Sequence, residues 1–121
     1  MKNMKIIIAG SRDFKPSFKI EEQIDQIISL YLEGRQIVIV SGTARGADQY
    51  GESYANKRKY RLERYPADWD KYGKKAGYIR NNEMALIADM AIVIWDSKSK
   101  GSKHMIEAMK KLDKRVEVIF I

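Results

Sequence analysis

Three short runs along the chain, Lys5 to Ala9, Ile37 to Val40 and Ala91 to Trp95, are rich in β-branched residues and almost unbroken in apolarity. A strand covered on both faces needs that pattern, so these runs predict central parallel strands. Arg61 to Tyr65 and Val116 to Ile121 alternate polar with apolar residues instead, which suits the margins of a sheet. Between the first two strands, Ile20, Ile24, Ile27, Ile28, Tyr31 and Leu32 fall on one face at helical spacing, with Gly34 as the stop. Further helices are predicted from about Ala47 to Lys59, with Tyr50, Tyr54 and Ala55 toward the sheet, and from Ala76 to Ala88. A last one runs from about Ser102 to Leu112, with Met105, Ala108, Met109 and Leu112 inward. Strand and helix alternate throughout. That order predicts a Rossmann-like three-layer α/β fold, a parallel sheet of about five strands with helices on both faces.

In such a sheet a ligand sits beyond the carboxyl ends of the strands, which selects four loops. The first, Gly10-Ser11-Arg12-Asp13-Phe14, sets small residues beside a cation and a carboxylate; it serves either a ligand or a plain turn. The second, Ser41-Gly42-Thr43-Ala44-Arg45-Gly46-Ala47-Asp48, follows a buried strand and opens a helix. Free N–H groups at a helix start attract phosphate, and Gly42 and Gly46 let it approach the main chain. The loop lacks both the Gly-Lys-Ser/Thr of a Walker A motif and the G-x-G-x-x-G of dinucleotide folds. Asp48 in the first helical turn is either a ligand contact or a capping carboxylate.

The third loop, from Pro66 to Ala76, brings Trp69 and Tyr72 to stack on a base and Lys71, Lys74 and Lys75 to attract phosphate. The same segment also fits a solvated basic loop. Arg80 and Asn81 follow one turn into the next helix, where they can point into the site. The fourth loop, Asp96 to Ser102, again joins a strand to a helix start and offers Ser99, Gly101 and Ser102, with Ser102 also a natural N-cap. His104 is read as a solvated surface residue that can just reach a ligand. Lys57, Arg58, Lys59 and Arg61 fall at the opposite end of the sheet, as a solvated surface or a landing place for an acidic partner.

Length and composition narrow the choice. With 121 residues there is material for one core, so a single domain is expected over 1–121. No apolar run approaches the roughly 18 residues of a membrane span, and Ile6 to Ala9 is too short for a signal-peptide core, so a cytoplasmic protein without a membrane partner is expected. The absence of cysteine and the single histidine exclude a disulfide framework, a thiolate nucleophile and a multi-histidine metal site. No cofactor is demanded. A Mg²⁺ ion would arrive on a phosphate, held by carboxylates among Asp13, Asp48, Asp68 and Asp96, the same four that are candidates to activate water. The net charge of +7 favours anionic partners without naming one.

Taken together, GSRDF after the first strand, SGTARGAD after the second, then PADWDKYGKKAGYIRNNEM and WDSKSKGS resemble the YspA/YpsA-related branch of the SLOG superfamily. The likeness runs over nearly the whole chain. It implies a Rossmann-like domain, related to DprA and to the phosphoribohydrolases that activate cytokinins, which holds a nucleotide or nucleotide derivative, often as a homodimer. The family's phosphate-loop pattern falls on Gly42, Thr43, Gly46 and Asp48, its Arg-Asn pair on Arg80 and Asn81, and its Ser-x-Gly-Thr on Ser99, Gly101 and Ser102. Serine replaces threonine at the last position. The phosphoribohydrolases carry a glutamate shortly after that pair; here Lys103, His104 and Met105 follow Ser102 and Glu107 arrives too late. The expected ligand set is therefore Gly10, Ser11, Arg12, Ser41, Gly42, Thr43, Arg45, Gly46, Asp48, Trp69, Arg80, Asn81, Ser99, Gly101 and Ser102. The expected function is that of a ligand sensor or a hydrolase of the ligand, and the alternative is a DprA-like module for single-stranded nucleic acid.

Overall fold

The apolar runs do form the strands. A computed structural model describes residues 2–121, with β1 (Lys2–Gly10), β2 (Arg35–Ser41), β3 (Arg61–Arg64), β4 (Met90–Trp95) and β5 (Arg115–Phe120) in one parallel sheet of order β3-β2-β1-β4-β5. Side chains alternate across β1. Ile6 and Ile8 enter one apolar layer with Ile20, Ile24, Ile28 and Tyr54, whereas Ile7 and Ala9 enter the other with Met84, Ala85, Met105 and Met109. Helices α1 (Phe18–Ser29) and α2 (Ala47–Arg58) therefore cover one face, and two later helices, α4 (Ala76–Ile87) and α5 (Lys100–Lys111), cover the other. Between β3 and α4 lies a four-residue helix, α3 (Trp69–Tyr72), which leads into a tight 3₁₀ turn. No helix of the described residues is long and apolar enough to cross a membrane.

Helix ends depart from the periodicity in two places. Helix α1 starts where Ser17 Oγ accepts the Ile20 amide, and it stops at Ser29, capped by Leu30, before Gly34 is reached. Leu32 lies past that end and is 44% exposed; Gly34, at φ +71°, turns the chain into β2 instead of closing the helix. Helix α5 starts two residues earlier than expected, because Ser99 rather than Ser102 is the N-cap. Its last predicted inward residue, Leu112, is the C-cap and is 41% exposed, since the chain is already turning away toward β5.

The basic residues of α2 also have a different role from the one their spacing suggests. Lys57 Nζ lies 2.9 Å from Glu21, and Arg58 pairs with both Glu21 and Asp25 of α1, while Tyr54 donates to Asp25 at 2.5 Å. Their acidic partner is the neighbouring helix, which pins α1 to α2 over the same sheet face.

Candidate functional site

From β1 the chain winds outward to β2 and β3 on one side, and β4 and β5 lie on the other, so the direction of winding reverses between β1 and β4. Beyond the carboxyl ends of those strands the diverging loops leave a crevice. Three adjoining cavities, of about 280, 380 and 210 Å³, fill it, and Arg12 and Arg80 line all three. The first also meets Gly10, Asp48, Asn81, Ser99, Gly101 and Ser102; the second reaches Gly42, Thr43 and Arg45; Trp69 borders the second and third.

Arg80 comes from the first turns of α4 and crosses to the loop after β2. Its guanidinium donates to the Gly42 carbonyl through one terminal nitrogen and to Asn81 Oδ1 at 3.1 Å through Nε. Two of its five N–H groups are thereby engaged, leaving donors for an anion. Packing around it is close enough that a Cβ on Gly42 would stand 2.7 Å from Arg80 and 2.8 Å from the Asp48 carboxylate. The loop and the helix meet here, although thirty-eight residues separate Gly42 from Arg80.

Asp48 is the buried carboxylate of the site. Desolvation pushes its pKa up to about 6, against the opposing pull of Arg80 and of the Ala44 and Gly10 amides. The other three candidate carboxylates lie elsewhere. Asp13 is exposed and 3.5 Å from Arg45; Asp68 caps α3 by accepting from Lys71; Asp96 accepts the Lys98 and Ser99 amides, which hold its pKa low. Among the described residues no three carboxylate or imidazole groups gather into a metal-binding set. Of the four candidates, Asp48 alone has the burial and raised pKa of a proton-transfer group.

Three amides of the loop after β2 are engaged by the protein itself. Thr43 N–H binds Ser41 Oγ at 3.0 Å, Ala44 N–H binds the Asp48 carboxylate at 3.2 Å, and Ala47 N–H binds the Ser11 carbonyl at 3.1 Å. The amides of Gly42, Arg45, Gly46 and Asp48 have no protein acceptor among the described residues, so the loop keeps main-chain donors beside the side-chain donors of Arg80 and Arg12. Thr43 is held in the left-handed region at φ +67°, a strained setting for a β-branched residue and one that recurs at ligand sites. Gly46 adopts φ +81° and packs against the first loop. Two serines expected at the ligand serve the scaffold. Ser11 is buried and its Oγ accepts the Asp96 amide, joining the first loop to the fourth; Ser41 is buried and donates to Glu52 at 2.8 Å.

On the far wall, Ser99 caps α5, while the amides of Lys100 and Gly101 in the first turn have no protein acceptor among the described residues. Gly101 lines the same cavity as Arg80. Trp69 is 52% exposed, with its ring 3.5 Å from where a Gly77 Cβ would sit, so it stands as a side wall with a free face. His104 departs from its expected solvated place: it is half-buried, stacked on Tyr78 at 4.4 Å and 3.3 Å from the Asn81 amide nitrogen. Tyr78 and Asn81, one turn apart on α4, are the sequence signal that marks this contact.

Comparison with known proteins agrees with the fold. The model of the YspA, cpYpsA-related SLOG family matches residues 4–72, which spans β1 to the end of α3. Gene 61 protein of Mycobacterium phage D29 is 33% identical over 113 residues, covering 88% of this chain and 89% of that protein. Among solved structures, DNA processing protein A (DprA) from Streptococcus pneumoniae superposes with a TM-score of 0.69 at 20% identity, covering 97% of this chain. The chain spans 50% of that DprA chain, and the likeness is one of fold.

Proposed function

The chain belongs to the YspA, cpYpsA-related SLOG family, and from that premise we propose that its crevice binds a nucleotide or nucleotide-derived ligand through a phosphate group. One observation carries the reading: Arg80 lies where three cavities meet, anchored to Gly42 and beside buried Asp48, with donors to spare. Arg12 and the first amides of α5 complete an anion-holding wall. Trp69 offers its open face to a base. Asp48, with a pKa near the working pH, is the group to exchange a proton with the ligand if the protein hydrolyses it.

A single strand of nucleic acid is the second reading, supported by the continuity of the cavities past Trp69 toward exposed Lys71, Lys74 and Lys75. Calorimetric titration with AMP, ADP-ribose and a short oligonucleotide at two salt concentrations separates the two. A compact nucleotide site keeps its preference among ligands at physiological salt, whereas strand binding falls steeply as salt rises.

Arg80→Ala should weaken the bound nucleotide at least tenfold, about 1.4 kcal/mol, with the fold intact by circular dichroism. Arg80→Lys should recover little, because a point charge cannot hold the Gly42 carbonyl, the Asn81 oxygen and a phosphate at once. Wild-type affinity in Arg80→Ala would sink the phosphate assignment.

A further inference from the structure

Along the wall of the crevice, α4 and α5 are joined by a short chain of hydrogen bonds that runs from Arg80 back to His104. Arg80 Nε meets Asn81 Oδ1 at 3.1 Å, and Asn81 Nδ2 lies 3.3 Å from the Gly101 carbonyl and 3.3 Å from His104 Nδ1. A guanidinium has only donors and a peptide oxygen only lone pairs, so the buried Asn81 amide is oriented from both ends. Its oxygen must face Arg80 and its nitrogen must face Gly101. What reaches His104 is therefore an N–H, and Nδ1 has to accept it. The imidazole fits this place only when neutral, with its proton on Nε2.

The geometry points to His104 as a positioning residue for the crevice, which acts through Asn81 on Arg80 and releases both when Nδ1 is protonated. Protonation would set two N–H donors against each other at 3.3 Å, and the amide cannot rotate to relieve them without turning its nitrogen toward Arg80 or its oxygen toward Gly101. The groups facing the imidazole are the Tyr78 ring and Asn81 from α4, with Arg80 behind Asn81, and Glu107 and Lys111 on its own helix. Burial pushes its pKa down from 6.5, Lys111 adds to that and Glu107 opposes it, so the neutral form is the one present at pH 7. The effect on affinity rests on the nucleotide reading above; the relay itself does not.

Nitrogen-15 NMR of the imidazole tests the relay without ligand, and the signal is unambiguous because the chain has one histidine. Expected are the Nε2–H tautomer and a titration midpoint below 6.5 in the wild type. In Asn81→Asp, whose carboxylate accepts from Nδ1–H, the midpoint should rise by about one pH unit or more. An Nδ1–H tautomer in the wild type overturns the relay even if Asn81→Asp fails to fold, and so does an unmoved midpoint in a folded Asn81→Asp.

The positioning role is read from the affinity for AMP or ADP-ribose in wild type and His104→Asn, whose Oδ1 stands near Nδ1 and cannot be protonated. Taking the ratio of the two proteins cancels the titrations of Asp48 and of the phosphate. The ratio should be near one at pH 8, with the wild type about threefold weaker or more below the imidazole midpoint. Equal affinities at every pH overturn the positioning role. Failure of both AMP and ADP-ribose to bind either protein at any pH, with the relay intact by NMR, refutes the nucleotide reading and with it the control of Arg80 for such ligands, leaving the relay as a bare structural tie.

Discussion

Asp48→Asn should raise the unfolding free energy at pH 7 by about 2 to 3 kcal/mol. Burial moves this carboxyl from 3.8 to about 6, which is upward for an acid, so between those values the folded protein holds a proton that the unfolded chain has given up. Wild-type stability therefore falls as pH rises through that window, at up to about 1.4 kcal/mol per unit, and above pH 6 the full penalty persists. Asparagine never ionises and still offers an oxygen to the Ala44 amide. Urea unfolding of both proteins from pH 3.5 to 8 checks this. The two stabilities should run parallel at the acidic end and diverge upward for the variant. A variant less stable than wild type at pH 7 would mean that the attraction of Arg80 outweighs desolvation, and would remove the argument that Asp48 is held at a cost for the sake of the site.

Gly46→Val should lose about 3 kcal/mol or more, enough to leave much of the protein unfolded at moderate temperature. A Cβ at this position would lie 2.4 Å from both the Ser11 and Arg12 carbonyl oxygens, which are main-chain atoms and cannot swing aside. The φ of +81° adds strain that a β-branched residue tolerates worst. Relief would require lifting the first loop off the start of α2, breaking the bond from Ala47 N–H to the Ser11 carbonyl. This glycine is thus a packing requirement whatever the loop binds, and the variant should fail in a melt before any ligand is added. A Gly46→Val protein with wild-type stability would show that the first and second loops are not in contact at this point.

The parts of the fold that the sequence disclosed are those governed by local periodicity. Ile6 to Ile8, Ile37 to Val40 and Ala91 to Ile94 are buried as the unbroken apolar runs require, and Ile20, Ile24 and Ile28 face inward at helical spacing. Strand order and helix boundaries depend on more. Ser99 and Ser102 are both good caps, and only the path of the chain after β4 chooses Ser99. Helix α3, at four residues, is too short to show a period. At the site, the nearness of Arg80 to Gly42 was accessible from topology, because parallel strands bring successive loops to one edge. The ranking of the four aspartates was not. It depends on burial, which separates Asp48 from exposed Asp13 by contacts with residues far along the chain. The pairing of Lys57 and Arg58 with α1 and the linkage of Asn81 to His104 are likewise matters of helix rotation, which no single-helix pattern records.

The central position of β1 has a consequence for how the chain matures. β1 is made before β4, and its Ile6 to Gly10 edge waits for that strand, which begins at Met90. A chain released from synthesis before that residue could assemble β1, β2 and β3 but would present an open parallel edge flanked by isoleucines, the kind of surface on which strands of other molecules add. Closing that edge also joins the two halves of the crevice, with Gly10 and Arg12 on one side and Ser99 and Gly101 on the other. The seam that completes the sheet is the seam a ligand would bridge, so a bound anion would resist the reopening of that edge.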